Sequence, residues 1–306
     1  MDTDAAGRTR LDSMTAAVDR VSGRAGPVAV RWLLGLMWLS NVGWKVPTGF
    51  GGLRNYVQAG VDHPVLPGSA WVFEQIVLPQ MSLFGWVTLF VEVGLSAALL
   101  SGRYLRVAAI VSMAQAFGIG LAVANAPNEW YWAYLLMIGL SIAVLVQAPT
   151  SRPTSPRALG LVTIGFGLIV ILNNISAGLL GDDNVTRSVF TGSNDIPDEF
   201  GNAIFTGSIA LGLLFVALGA GTWLLGSADA AVRRAVGAGA IVIAAALLFT
   251  YRSSPDDLII GRGSRPVHCG VLAALGLSLL PTRRASALTG TDRDEVERVS
   301  SQAPSV

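Results

Sequence analysis

The chain has 306 residues, of which 52% are hydrophobic and only 13% are charged, and its mean hydropathy is +0.56. A soluble domain usually has about 25% charged residues, so this composition excludes a soluble globular domain and a disordered chain. The formal net charge of +1 leaves no basic excess for nucleic acid, and the single cysteine excludes a disulfide framework and a cysteine metal cluster.

Polar tails flank a series of apolar segments. Residues 1–27 contain four arginines and no apolar run that fits a signal peptide, so they are predicted to be a cytoplasmic tail. Eight apolar runs follow, and each approaches the length of about 20 residues that a helix needs to cross the hydrocarbon core. The runs cover residues 28–46, 83–100, 105–124, 130–147, 159–180, 203–225, 235–250 and 266–280. Residues 282–306 are predicted to be a second cytoplasmic tail.

The runs are apolar on both faces, whereas the strands of a membrane barrel alternate apolar and polar residues. The predicted fold class is therefore all-α, a polytopic membrane protein with about eight transmembrane helices. With both termini in the cytoplasm, 15 of the 21 basic residues lie on the inner side, as the positive-inside rule requires. The segment from Tyr251 to Arg265 has three arginines on the outer side, which weakens the last pair of spans.

The spans divide into two halves, each predicted to form a four-helix bundle. A linker rich in helix breakers, 149–157, separates a first membrane unit at 28–148 from a second at 158–281. In each half a long outer loop, Pro47–Ser82 or Gly181–Asn202, follows the first span. This order is typical of a duplicated unit, which would form a parallel repeat; a fused, unrelated partner is the alternative.

Most of the polar residues within the predicted spans lie in the first half. Glu92 is the only acidic residue deep in a span, and burying its charge requires a partner inside the bundle. We predict a polar pocket that opens outward between the first four helices and includes Glu92, Lys45, Asn41, Gln115, Asn125 and Glu129. Helix packing through a buried Glu, and a lysine that only reaches the interface, are the structural alternatives.

Aromatic residues lie near the predicted outer mouth of the same unit, among them Trp130, Tyr131, Trp132 and Tyr134 at the start of the fourth span. An interfacial aromatic belt explains them in structural terms. A functional interpretation is a surface on which a quinone ring or a lipid headgroup stacks, with Trp130 and Trp132 as binding residues. No clustered metal-ligand motif occurs, and we predict no metal.

Residues 31–147 resemble the DoxX family, and within it the DoxD-like small subunit of thiosulfate:quinone oxidoreductase. The resemblance rests on five short motifs. They are Arg31-Trp-Leu-Leu-Gly-Leu-Met-Trp-Leu with Gly43-Trp-Lys45, Phe84-Gly, Glu92 with Gly94, Leu99-Leu-Ser-Gly-Arg103, and Asn128-Glu-Trp-Tyr-Trp132. The second half departs from the usual four-span length of the family.

The resemblance implies a four-helix unit of a bacterial cytoplasmic membrane, active in quinone-linked redox metabolism. It points to thiosulfate as substrate, quinone as cofactor, Lys45 and Glu92 as catalytic residues and Arg103 as a substrate-binding residue. A second oxidoreductase subunit and the lipid bilayer are the expected partners. Two alternatives stay open: a non-catalytic anchor or assembly subunit of an oxidoreductase complex, and a small-molecule transporter, for which no equivalent of Glu92 is present in the sixth span.

Overall fold

The computed structural model describes residues 25–42, 45, 50–126, 131–179, 209–250 and 265–281, and within these ranges every regular element is helical, with no strand. The all-α prediction is confirmed for this part of the chain. The tails at 1–24 and 282–306, the predicted outer loop 181–202, most of the segment 251–265, and the candidate residues Glu129 and Trp130 lie outside it.

The described helices follow the predicted apolar runs closely. Helix α1 covers residues 25–42, so it includes three residues that were assigned to the N-terminal tail. The remaining helices, with their observed bounds, are α2 Gly51–Asp62, α3 Ser69–Val72, α4 Met81–Ser101, α5 Leu105–Val123, α6 Tyr131–Gln147, α7 Pro156–Leu179, α8 Ile209–Leu225, α9 Ala230–Phe249 and α10 Arg265–Leu279. Each of the eight predicted runs coincides with one helix, α1 or α4 to α10.

Three described helices, α4, α5 and α9, are long and apolar enough to cross a membrane. Many large apolar side chains point away from the protein interior, including Val107, Phe117, Leu135, Val242 and Ile243. Soluble proteins rarely expose so much apolar surface, so these helices are suited to contact with lipid. Helix α6 and the apolar stretches of α7, α8 and α10 are shorter, and the count of eight spans stays a prediction.

The segment 47–82, predicted to be a long loop, is largely helical in its described part from residue 50 onward. It contains α2, α3 and a single π-helical turn at Phe73–Val77. Leu53, Val57 and Gly60 of α2 are buried against α5, at spacings of four and three residues, which place them on one helical face. The opposite face of α2 is polar, so the mean hydropathy of the helix is lower than that of the spans. For this reason the search for apolar runs did not detect it.

Glycines set the close packing of the second half. A Cβ atom built on Gly160 would lie 2.6 Å from the carbonyl oxygen of Gly219, and one built on Gly167 would lie 2.6 Å from that of Gly212. The two pairs are seven residues apart on antiparallel α7 and α8, so both helices present small residues to the same interface. Gly237 of α9 and Gly276 of α10 make a similar contact. Small residues of this kind let membrane helices approach closely.

The two halves of the chain touch through α10, which packs along α4. A side chain at Gly270 of α10 would collide with Leu39 of α1 and approach Ser96 of α4, so the glycine lets the three helices meet. At the other end of this interface, the ring of Phe249 lies 4.6 Å from that of Phe90 and 6.2 Å from that of Trp86. The second half therefore supports the helix that carries Glu92.

Candidate functional site

The site begins where the chain leaves α1. The described part of α1 extends to Val42, and Lys45 is no longer helical. Its backbone N–H donates to the carbonyl of Val42 at 3.3 Å, and its Nζ donates to the carbonyl of Asn41 at 2.8 Å. The last carbonyls of a helix lack intrahelical donors, and a cation there also interacts favourably with the helix dipole. Lys45 thus contacts the backbone of Asn41, four residues earlier in the chain.

Glu92 of α4 is the anionic partner of Lys45. The Nζ atom of Lys45 lies 2.6 Å from Oε2 of Glu92, and the two side chains are 1% and 0% exposed. The amide of Gln115, on α5, donates to Oε1 of Glu92 over a long 3.4 Å. A buried carboxylate is tolerated only with compensating charge and hydrogen bonds. The three side chains therefore connect the end of α1, the middle of α4 and the middle of α5.

A cavity of about 170 Å³ adjoins this ion pair. Its wall is mostly apolar, with six residues that carry polar groups: Asn41, Lys45, Tyr56, Thr88, Gln115 and Tyr134. Glu92 does not itself line the cavity but contacts two lining residues, Lys45 and Gln115. The arrangement suits an uncharged ligand with a few polar atoms, since apolar walls with a small number of oriented polar groups are typical of small-molecule sites.

Helix α2 and the π-helical turn form part of the cavity wall and cover the cavity on their side. Leu53, Tyr56 and Val57 of α2 and Phe73 of the π-helical turn all line it. A side chain on Gly60 would collide with the Ala122 carbonyl and the Phe73 ring, so glycine lets α2 lie directly on α5. The sequence predicts a loop for this segment, so the cover was not predicted.

Four predicted site residues meet at the cavity, and the other described ones lie elsewhere. Asn41, Lys45, Gln115 and, through its partners, Glu92 are brought together. The exposed Asn125 donates its side-chain amide to the Pro64 carbonyl at 3.1 Å, joining the end of α5 to the segment after α2. Trp132 is about half exposed on α6 and is not a lining residue.

Arg103 lies at the opposite end of α4, eleven residues beyond Glu92, or roughly 16 Å at helical rise. Its Nη1 donates to the carbonyl of Pro281 at 3.4 Å. Partial burial lowers the pKa of the Arg103 guanidinium below its usual value. The structure thus separates Arg103 from the cavity and places it beside the end of α10.

Three of the six polar lining residues were not predicted as site residues, and each has a local explanation. Thr88 precedes Glu92 by one helical turn, so it lies on the same face of α4. Tyr134 was grouped with the aromatic residues of the predicted mouth, yet it is buried while Tyr131 and Trp132 are exposed. Tyr56 belongs to α2, whose existence the sequence analysis missed.

Further buried polar contacts fix the helices around the site. Trp38 of α1 donates its indole N–H to the hydroxyl of Ser112 on α5 at 2.8 Å. The Ser112 hydroxyl lies 2.7 Å from that of Ser141 on α6, which donates to the Met137 carbonyl at 2.6 Å. Ser112 precedes Gln115 by one turn, so this network restrains the part of α5 that presents Gln115 to Glu92.

The far end of α1 is tied down by Arg31, which is also buried. Its guanidinium donates to the carbonyl of Arg152 and to the hydroxyl of Thr154, both at 2.7 Å. Thr154 in turn donates to the Leu100 carbonyl at 2.8 Å. Gly102 has a φ of 72°, and a Cβ atom there would overlap the Arg31 guanidinium. Arg31 and Gly102, both from the DoxX-like motifs, therefore have a structural role.

Within the described ranges, no group of three or more His, Cys, Asp or Glu side chains is arranged to hold a metal ion. No protein family, no curated protein and no solved structure matches the chain. The likeness to the DoxX family therefore rests on the sequence motifs alone.

Proposed function

We propose that the chain is a DoxX/DoxD-like integral membrane protein of quinone-linked redox metabolism, in which the cavity beside Lys45 and Glu92 receives a quinone headgroup. The observation that supports this function is the buried ion pair on the wall of an otherwise apolar cavity. An ion pair in such a place is costly to bury, and intramembrane ionisable residues commonly mark sites of ligand or proton handling.

The residues of the cavity fit a quinone headgroup. A quinone ring is flat, uncharged and apolar except for its carbonyl oxygens, which accept hydrogen bonds. Asn41, Lys45 and Gln115 have N–H donors on the wall, and Tyr56 and Tyr134 add aromatic rings with hydroxyl groups. A bound quinone would supply the electron-accepting chemistry. The part of this chain is to orient the ring through the amide donors and to hold a proton at the Lys45–Glu92 pair.

The charge balance of the cavity favours quinone over thiosulfate as its occupant. Thiosulfate is a dianion, and the charge of Lys45 is already balanced by Glu92 at 2.6 Å. A dianion placed there would lose its hydration and also face the Glu92 carboxylate. We therefore assign thiosulfate oxidation, the reaction that the family resemblance suggests, to a different surface or to a second oxidoreductase subunit.

The membrane arrangement belongs to the same proposal. It comprises eight spans in a bacterial cytoplasmic membrane, with both termini cytoplasmic and the Lys45 end of α1 on the outer side. The length and apolar composition of α4, α5 and α9 support a membrane location, and the arginine distribution supports the orientation.

The test is thiosulfate-dependent quinone reduction in membranes that contain the chain with its co-purifying partners. Glu92→Gln and Lys45→Met are compared with Ser96→Ala, a matched control that removes a buried polar group one turn along α4 and outside the cavity wall. We expect at least a tenfold loss of activity in the two site variants and less than a twofold loss in the control. Full activity in Glu92→Gln would refute the proposed site.

A non-catalytic anchor is the second candidate, and one observation favours it. The Lys45–Glu92–Gln115 contacts join three helices and satisfy both carboxylate oxygens, which is also what a helix lock requires. If this role is correct, the folded chain has no quinone reductase activity of its own. Its site variants then reduce the amount of co-purifying oxidoreductase in proportion to the loss of folded protein.

A further inference from the structure

The cavity reaches the surface of α5 at one position that has no side chain. Gly118 lines the cavity and is also exposed, and a Cβ atom built there would meet no atom of the described residues within 4 Å. The neighbouring lining residues Gln115, Ile119 and Ala122 are partly buried, and they share the cavity face of the helix. Gly118 therefore lies where the cavity face of α5 meets the face that is exposed to the surroundings.

Phe84 and Thr88 of α4 line the same cavity as Gly118 of α5. Helices α4 and α5 are joined by a short turn, residues 102–104, close to Arg31. Despite this connection, α4 packs against α5 much less extensively than α5 packs against α6. The residues next to Thr88 and Gly118 in the chain, Val87 on α4 and Phe117 on α5, are exposed apolar side chains. An opening here faces the apolar surroundings of two helices that are long enough to cross a membrane.

Helix α2 and the π-helical turn close another side of the cavity. Three residues of α2 and Phe73 lie across it, and the contact between Gly60 and the Ala122 carbonyl leaves no room for a side chain between α2 and α5. A ligand that enters beside Gly118 avoids displacing α2. The exposed position at Gly118 and the cover formed by α2 both favour entry of a ligand beside Gly118.

We propose that a lateral portal at Gly118, between α4 and α5, admits a lipid-soluble ligand whose uncharged headgroup occupies the cavity and whose apolar chain leaves toward the bilayer. The identity of the headgroup rests on the proposed function, whereas the portal itself is inferred from the position of Gly118. An apolar chain satisfies the apolar rim, whereas a small water-soluble ligand would need neither the portal nor its lipid-facing position.

Thr88 provides a readout that does not depend on activity. It is buried on the cavity wall, whereas Val87 beside it is exposed on the surface of α4. The protein is reconstituted in phosphatidylcholine vesicles that contain a long-chain alcohol with a photoreactive diazirine next to its hydroxyl group, and labelled residues are located by mass spectrometry. In the wild type we expect labelling at both Thr88 and Val87.

Gly118→Leu fills the portal, and Gly139→Leu is its matched control. Gly139 is likewise exposed in the middle of a helix, and in the described part of the chain no atom lies within 4 Å of an added Cβ atom, but Gly139 does not line the cavity. We expect Gly118→Leu to lower the Thr88-to-Val87 labelling ratio at least fivefold, with no change in Gly139→Leu. Gly118→Ala, with a smaller side chain, should keep at least half of the wild-type ratio and shows whether substitution alone disturbs the fold.

Two results would overturn the portal: no labelling of Thr88 in the wild-type protein, or an unchanged ratio in folded Gly118→Leu. Competition by excess decylubiquinone separates the portal from the proposed function. If decylubiquinone lowers Thr88 labelling, both are supported. If it does not, while labelling still depends on Gly118, the portal stands and the quinone assignment fails.

Discussion

Removing the charge of Glu92 tests how much the buried Lys45–Glu92 ion pair contributes to the free energy of unfolding. At the observed separation of 2.6 Å, the gross attraction is about 6 kcal/mol for an effective dielectric constant near 20. Most of this attraction offsets the cost of taking both charges out of water. Glu92→Gln keeps the size of the side chain but leaves the Lys45 ammonium buried without its counter-charge. We expect the free energy of unfolding to fall by about 3–5 kcal/mol.

The measurement is the free energy of unfolding in mixed micelles, followed by the loss of helical circular dichroism as denaturing detergent is added. Glu74→Gln makes the same chemical change at an exposed position, and we expect it to cost less than about 0.5 kcal/mol. In the double variant Lys45→Met with Glu92→Gln, no unpaired charge remains. Its stability should return to within about 1 kcal/mol of the wild type, because replacing a buried pair is often neutral.

Two results would refute this reasoning. A loss below about 1 kcal/mol in Glu92→Gln would show that the pair is hydrated or relaxed rather than buried as observed. A double variant whose loss equals the sum of the two single losses would show that Lys45 and Glu92 do not interact energetically.

Two further predictions concern glycines at which the structure leaves no room for a side chain. Gly102→Ala should lower the free energy of unfolding by about 2 kcal/mol or more, because its φ is 72° and the new methyl group would displace the Arg31 guanidinium. Gly94→Ala, whose added Cβ atom meets none of the described residues within 4 Å, should change stability by less than about 0.5 kcal/mol in the same titration. Gly219→Leu should cost about 1–3 kcal/mol by forcing α7 and α8 apart. Gly221→Leu, two residues along the same helix, should leave the unfolding midpoint close to that of the wild type, because among the described residues no atom lies within 4 Å of a Cβ atom added there.

The sequence predicted the helices well, because a long apolar run has few alternatives in lipid. It did not predict α2, whose polar and apolar faces average to a low hydropathy, although the spacing of Leu53, Val57 and Gly60 held the signal. Nor did it predict the glycine pairs of α7 and α8, because a glycine in a membrane helix gives no indication of which helix it faces.

The candidate site was predicted in part. Glu92 stood out because an acidic residue deep in an apolar run needs a partner, and Asn41, Lys45 and Gln115 were grouped with it by depth along the helices. Depth alone did not distinguish Asn125 from the residues that line the cavity, although Asn125 donates to the Pro64 carbonyl outside it. Depth is one coordinate, and the rotation of each helix about its axis depends on packing that the sequence does not state.

The sequence by itself determined the helical class, the positions of the apolar helices and the presence of one carboxylate that must be compensated in the interior. The free-energy cost of exposing backbone polar groups or charges to an apolar medium is large, so it restricts the residue type at every position of an apolar run. Only the tertiary structure decided that Lys45 is the partner of Glu92, that α2 covers the cavity and that Gly118 leaves its side open. These features depend on contacts between residues distant in the chain, where a difference of one side chain decides whether two helices touch or a ligand passes between them.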